Sequence, residues 1–115
     1  MVLRKSPVGW HRKNVERRFG SLFQEASAVF FRHDPIGINF EENADEYDPE
    51  VATILPRLYG CASAADARRV VFEEFRRWFG AETAGDENRY FAIAEELWAL
   101  WSAHRQLRPV AGKEV

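Results

Sequence analysis

The residues of this chain that could do chemistry together are concentrated in one run, from His33 to Glu50. It reads His-Asp-Pro-Ile-Gly-Ile-Asn-Phe-Glu-Glu-Asn-Ala-Asp-Glu-Tyr-Asp-Pro-Glu and carries seven acids without a single lysine or arginine. Carboxylates and amide oxygens at this density are what a hard cation takes. The spacing argues against calcium. An EF-hand loop needs acids or amides at its first, third and fifth positions and glycine at its sixth. A loop begun at Asn43 and Asp45 puts Tyr47 at the fifth and Asp48 at the sixth. Recognition is the chemistry that remains. Uncompensated acids make a local negative field that steers a basic partner, and Phe40 and Tyr47 supply aromatic anchors inside that acidic rim. Asp34 and Asp45 also have a purely structural reading, since a short acid near Pro or Gly accepts hydrogen bonds from amides of its own loop.

Catalytic patterns are weak elsewhere. The chain has no glycine-flanked serine elbow, no His-x-x-x-His helix and no glycine-rich phosphate loop. His11 falls in the basic arm, and His33 and His104 near helix ends, where a histidine complements the helix dipole. Cys61 precedes a helix start, a position that can lower a thiol pKa, but burial as a small apolar residue is the simpler reading. The expectation is a protein that is not an enzyme, with no catalytic residues, metal or cofactor.

The elements that must position the acidic run are helices. Val15, Phe19, Leu22, Phe23, Ala26, Val29 and Phe30 recur at three and four residues and predict one helix over 14–32. Gly20 marks either a close packing contact or the boundary of a basic arm. Pro35 stops the helix, and Asp34-Pro35-Ile36-Gly37 reads as a turn. Ile38 and Phe40 should tuck one side of the loop onto the core. Asp48 as N-cap, Pro49 at the first helical position and Glu50 in the first turn start a second helix, with Val51, Ile54, Leu55 and Leu58 on its stripe. Pro56 should break it near Ile54. Ser63-Ala-Ala-Asp66 resembles a capping box opening a third helix with Ala67, Val70, Val71, Phe75 and Trp78, ended by Gly80. A polar linker from Ala81 leads to Asp86 as the next cap, and Tyr90, Ile93, Ala94, Leu97, Trp98 and Trp101 form a fourth stripe ending near His104. The fold expected is an all-α compact bundle of about four helices. Residues 1–13 form a basic flexible arm, 14–105 a single helical domain and 106–115 a frayed tail.

Composition agrees with a folded domain: 115 residues, 46% hydrophobic and 14% aromatic, suffice to bury a core. It should fold alone or as a homodimer. One cysteine excludes an intrachain disulfide and multi-cysteine zinc frameworks. Residues 1–10 lack the apolar core of a signal peptide, and no stretch has the length of a membrane span, so a cytoplasmic location is expected. The net charge of −2 hides a division, with Arg4, Lys5, Arg12, Lys13, Arg17 and Arg18 at one end and the acidic run in the middle. A nucleic-acid-associated regulator working through the basic arm is therefore the alternative reading. The arginines of the third helix, Arg68, Arg69, Arg76 and Arg77, alternate with Asp66, Glu73 and Glu74, which marks a solvated face with i,i+4 pairs.

Asp34-Pro35-Ile36-Gly37 followed by Asp45-Glu46-Tyr47-Asp48 and the helix Val51 to Leu58 resembles a group of small bacterial helical proteins, over about 25 residues and more loosely through the third helix. Some members are similar in size and acidity to immunity proteins that neutralise toxins of competing bacteria. The resemblance implies a protein partner, in its most specific form a basic toxin, and carries no catalytic residue with it. The basic arm lies outside it. The residues expected to bind the partner are Asp34, Phe40, Glu41, Glu42, Asp45, Glu46 and Tyr47.

Overall fold

Each apolar stripe in the sequence becomes the buried side of a helix. The computed structural model describes residues 11–38 and 46–107. Within them lie α1 (Arg12–Phe19), α2 (Ser21–His33), α3 (Asp48–Ile54), α4 (Ala64–Phe79), α5 (Ala81–Ala84) and α6 (Phe91–Leu107), with 3-10 turns at Leu55–Gly60 and Glu87–Tyr90. The all-α expectation holds, since no strand occurs among the described residues. The helix count is corrected from about four to six, five of them seven residues or longer.

The first added helix comes from Gly20. The single helix expected over 14–32 is two, because Gly20 takes φ 60° and ψ −137° between α1 and α2. That conformation is nearly closed to residues with a Cβ. It turns α1 away from the line of α2 while Val15, Phe19, Leu22 and Phe23 all stay buried. The second is α5, a four-residue helix where a polar linker was expected. It is set between Gly80 at φ 88° and Gly85 at φ 76°. Ala84 at its end is buried, and its carbonyl accepts the Tyr90 hydroxyl at 2.6 Å.

Other local expectations hold. α3 gives way to a 3-10 turn at Leu55, where Pro56 lacks the amide needed to continue it. Ser63 caps α4, its Oγ accepting the Asp66 amide at 3.2 Å, while Asp66 Oδ2 accepts the Ala62 amide at 2.8 Å. Gly80 ends α4. α6 runs to Leu107, past the end expected at His104.

Helix α4 is central, packing on α6, α5 and α3, while α2 bridges α6 and α3, and α1 rests on α2 and α3. Phe75 of α4 is the hub of the interior. Its ring stacks on Phe30 at 5.6 Å and meets Tyr47 at 6.0 Å, Phe79 at 5.6 Å and Tyr90 at 5.1 Å. Trp78 is buried and donates its indole N–H to Thr53 Oγ1 at 2.9 Å. Trp101 is buried and Trp98 packs against the core from its edge. No helix among the described residues is long and apolar enough to cross a membrane.

The α4 arginines largely bring their own counterions. Glu74, fully buried, accepts from Arg57 at 2.9 Å and Arg77 at 3.2 Å. Arg57 also binds Glu73 at 2.7 Å, Arg69 links Glu73 at 3.1 Å to Glu87 at 3.0 Å, and Arg68 reaches Glu87 at 3.2 Å. The hydrogen bond from Arg57 holds the Glu73 carboxyl below the usual carboxylate range.

Candidate functional site

The acidic segment is closed at its base by a contact between its two ends. Helix α2 ends at Asp34, which adopts a left-handed backbone at φ 49°. A short polar side chain tolerates that region better than most residues do. From there Asp34 Oδ1 accepts the Tyr47 hydroxyl at 2.7 Å and the Ile38 amide at 2.9 Å, and the Tyr47 oxygen accepts the Ile36 amide at 3.3 Å. The Gly37 amide donates to the Asp34 carbonyl at 3.2 Å. Ile36 and Ile38 pack against the core from its edge, as the loop reading expects of Ile38.

Tyr47 is fully buried, its ring 6.2 Å from Phe30 and 6.0 Å from Phe75. It was expected as an aromatic anchor for a partner. In the fold its ring faces the interior, and its part is to pin the loop. Burial first, and the bond to Asp34 second, hold its hydroxyl well above the ordinary phenol pKa, so it keeps its proton. Asp34 and Glu46 are partly exposed, and Asp34 bonds Tyr47. Phe40, Glu41, Glu42 and Asp45 lie outside the described residues.

Asp48 departs from its expected role as N-cap. Tyr47 occupies the cap position, Asp48 opens the helix, and the Asp48 carboxylate accepts from Arg12 of α1. The pair is unequal in exposure, with the Asp48 side chain at 5% and the Arg12 side chain at 43%. A carboxylate so far from water needs its cation. The basic N-terminal end and the acidic centre therefore meet at this ion pair.

Beside that ion pair lies a cavity of about 340 Å³ between α1, α2 and the start of α3. Arg12, Glu16, Phe23, Ser27, Phe31 and Asp48 are on its wall. Phe23 is buried and Ser27 is 4% exposed, its hydroxyl without a hydrogen-bond partner. A buried hydroxyl left unmatched costs on the order of 1–3 kcal/mol. The volume falls within the range of sites that take a small molecule or a large side chain. An apolar floor, a single hydroxyl and a charged mouth suit an amphipathic anchor.

His33 and His104 are used elsewhere. His33 Nε2 lies 2.7 Å from Glu96 Oε2, whose other oxygen binds Arg32 through two bonds of 3.0 Å. His104 Nε2 lies 3.2 Å from Glu25. Both contacts tie α2 to α6 rather than join the carboxylates of the loop. Cys61 is half-buried, and burial, then the charge of Asp66, raises its thiol pKa, the opposite of an activated cysteine.

Sequence reasoning missed Arg12, Ser27 and the cavity. Ser27 left a trace: it follows Phe23 by four residues and precedes Phe30 by three, so it is a polar residue on the apolar stripe of α2. The Arg12–Asp48 pair, 36 residues apart, left none. No protein family, curated protein or solved structure compared with this chain matches it.

Proposed function

We propose that the chain is a non-enzymatic protein-binding module that presents its acidic segment, with the cavity beside it, to a basic protein partner. The observation that carries this reading is the Asp34–Tyr47 bond of 2.7 Å at the base of the segment. It fixes both ends of a run of acids to the core, so less ordering cost falls on binding. Asp48 is matched by Arg12, and the reading assigns the partner contact to Glu41, Glu42, Asp45 and Glu46. These steer the encounter, and the cavity takes an anchoring side chain from the partner. In its most specific form, which rests on the Asp-Pro-Ile-Gly and Asp-Glu-Tyr-Asp resemblance, the partner is a basic toxin and the module neutralises it.

The test is affinity capture from source cells with the wild-type chain and with a variant carrying Glu41→Lys, Glu42→Lys, Asp45→Lys and Glu46→Lys. A basic protein held by the wild type at low salt and lost from the variant supports the reading. A variant that retains every captured protein overturns it. Asp48 stays unchanged in this variant, because reversing it would break the pair with Arg12 and confuse binding with folding.

A further inference from the structure

Most described arginines of α4 are matched to glutamates, whereas two arginines from α1 and α6 share an aromatic ring instead. Arg18 of α1 and Arg105 of α6 have no carboxylate partner among the described residues, and both guanidinium groups lie against one ring, that of Tyr59, at 5.4 and 5.9 Å from its centroid. Tyr59 is 45% exposed, one of two large apolar residues with that much surface among the described residues. The other, Phe91, lies beneath Arg68, whose charge is taken by Glu87.

Tyr59 is backed by aromatic surface. Its ring meets Trp101 edge-on at 4.9 Å and Phe19 at 6.3 Å. Trp101 is 2% exposed, and its indole N–H has no hydrogen-bond partner. On α1, Val15 and Phe19 face inward, and Arg18 is exposed on the flank that meets Tyr59. The result is an exposed aromatic ring flanked by two guanidinium groups that have no carboxylate partner among the described residues.

We infer that this face, built from Arg18, Tyr59 and Arg105, binds single-stranded nucleic acid. The chemistry divides between the two kinds of group. Phosphates take the place of the missing carboxylates, and a base stacks on Tyr59 once the guanidinium groups have turned to the backbone. An acidic peptide would satisfy the charges but has no use for an exposed aromatic ring at their centre. A duplex would keep its bases from Tyr59. The face is small and spans few nucleotides, so binding is weak and strongly dependent on salt.

The test is fluorescence anisotropy of the full chain with labelled oligo-dT and oligo-U of about 12 nucleotides, between about 50 and 200 mM salt. Tyr59→Leu should weaken binding about tenfold, while Tyr59→Phe, which keeps the stacking surface, should bind as the wild type does. Arg18→Gln with Arg105→Gln should reduce the salt slope by about 1.4, at roughly 0.7 per single-strand phosphate contact. Arg76→Gln, an exposed arginine of α4 outside this face, should change nothing. Circular dichroism of each variant separates lost binding from lost fold. No saturable binding at the lowest salt overturns the inference. So does equal competition by poly-glutamate, or binding that survives the Tyr59 and arginine substitutions but is lost with Arg4→Gln and Lys5→Gln.

Discussion

Tyr47→Phe isolates the contact that closes the acidic segment. The substitution keeps the ring against Phe30 and Phe75 and removes only the hydroxyl, so no cavity is created. Lost with it are the 2.7 Å bond to Asp34 and the acceptor for the Ile36 amide at 3.3 Å, while the Ile38 amide keeps Asp34 at 2.9 Å. A hydrogen bond to a charged group contributes about 1.5–3 kcal/mol. For a domain of this size about 4 °C of melting temperature accompanies each kcal/mol, so Tm should fall by roughly 6–12 °C. Thermal melting by circular dichroism reads the global loss, and amide hydrogen exchange at Ile36 and Ile38 reads the local one. Both amides should exchange faster in the variant. A Tm within about 2 °C of the wild type, with unchanged protection at both amides, would refute the claim that this bond holds the loop to the core.

Further outcomes follow from the same contacts. Gly20→Ala should destabilise by about 1–3 kcal/mol, because its positive φ opens the angle between α1 and α2, and a denaturant titration measures it. Ser27→Ala removes a buried hydroxyl that has no partner, so its midpoint in the same titration should stay level or rise. Tyr47 and Tyr90 both have pKa values raised above 10.0, Tyr90 to about 12, chiefly by burial. The unfolded chain loses these protons first, so stability should fall progressively as pH rises past about 10. Glu73, held low by Arg57, acts in the opposite direction, and its contribution should be lost as pH falls below the ordinary glutamate range. Melts across pH, compared with Tyr90→Phe and Glu73→Gln, check both signs. Cys61, with its thiol pKa raised by burial and Asp66, should react with a thiol reagent at neutral pH more slowly than free cysteine.

Much of the fold is legible in the sequence because it is set by short-range rules. The stripes of α2, α4 and α6, the proline break after Ile54 and the Ser63 cap each depend on residues within one or two turns. The sequence predicts one helix over 14–32 because periodicity continues across Gly20. The apolar residues on both sides face the core, and only the backbone dihedral reveals the turn. Asp48 shows the same limit in the site. Its position before Pro49 suits a cap, but Arg12 is a better partner and becomes available only when α1 folds back. For Tyr47, a hydrophobic neighbourhood distant in sequence, Phe30 and Phe75, decides that it faces inward, and composition alone suggests an exposed anchor. Arg18, Tyr59 and Arg105 come from three separate elements, so no spacing rule could gather them.

The most direct test of the binding account is photo-crosslinking in source cells, with a photoreactive residue placed at Glu42 in the acidic segment or, separately, at Arg76 on the exposed side of α4. The account predicts a discrete protein adduct from position 42, diminished when Glu41, Asp45 and Glu46 are reversed to lysine, and none of that adduct from position 76. No adduct from position 42, or the same adduct from position 76 alone, would contradict it.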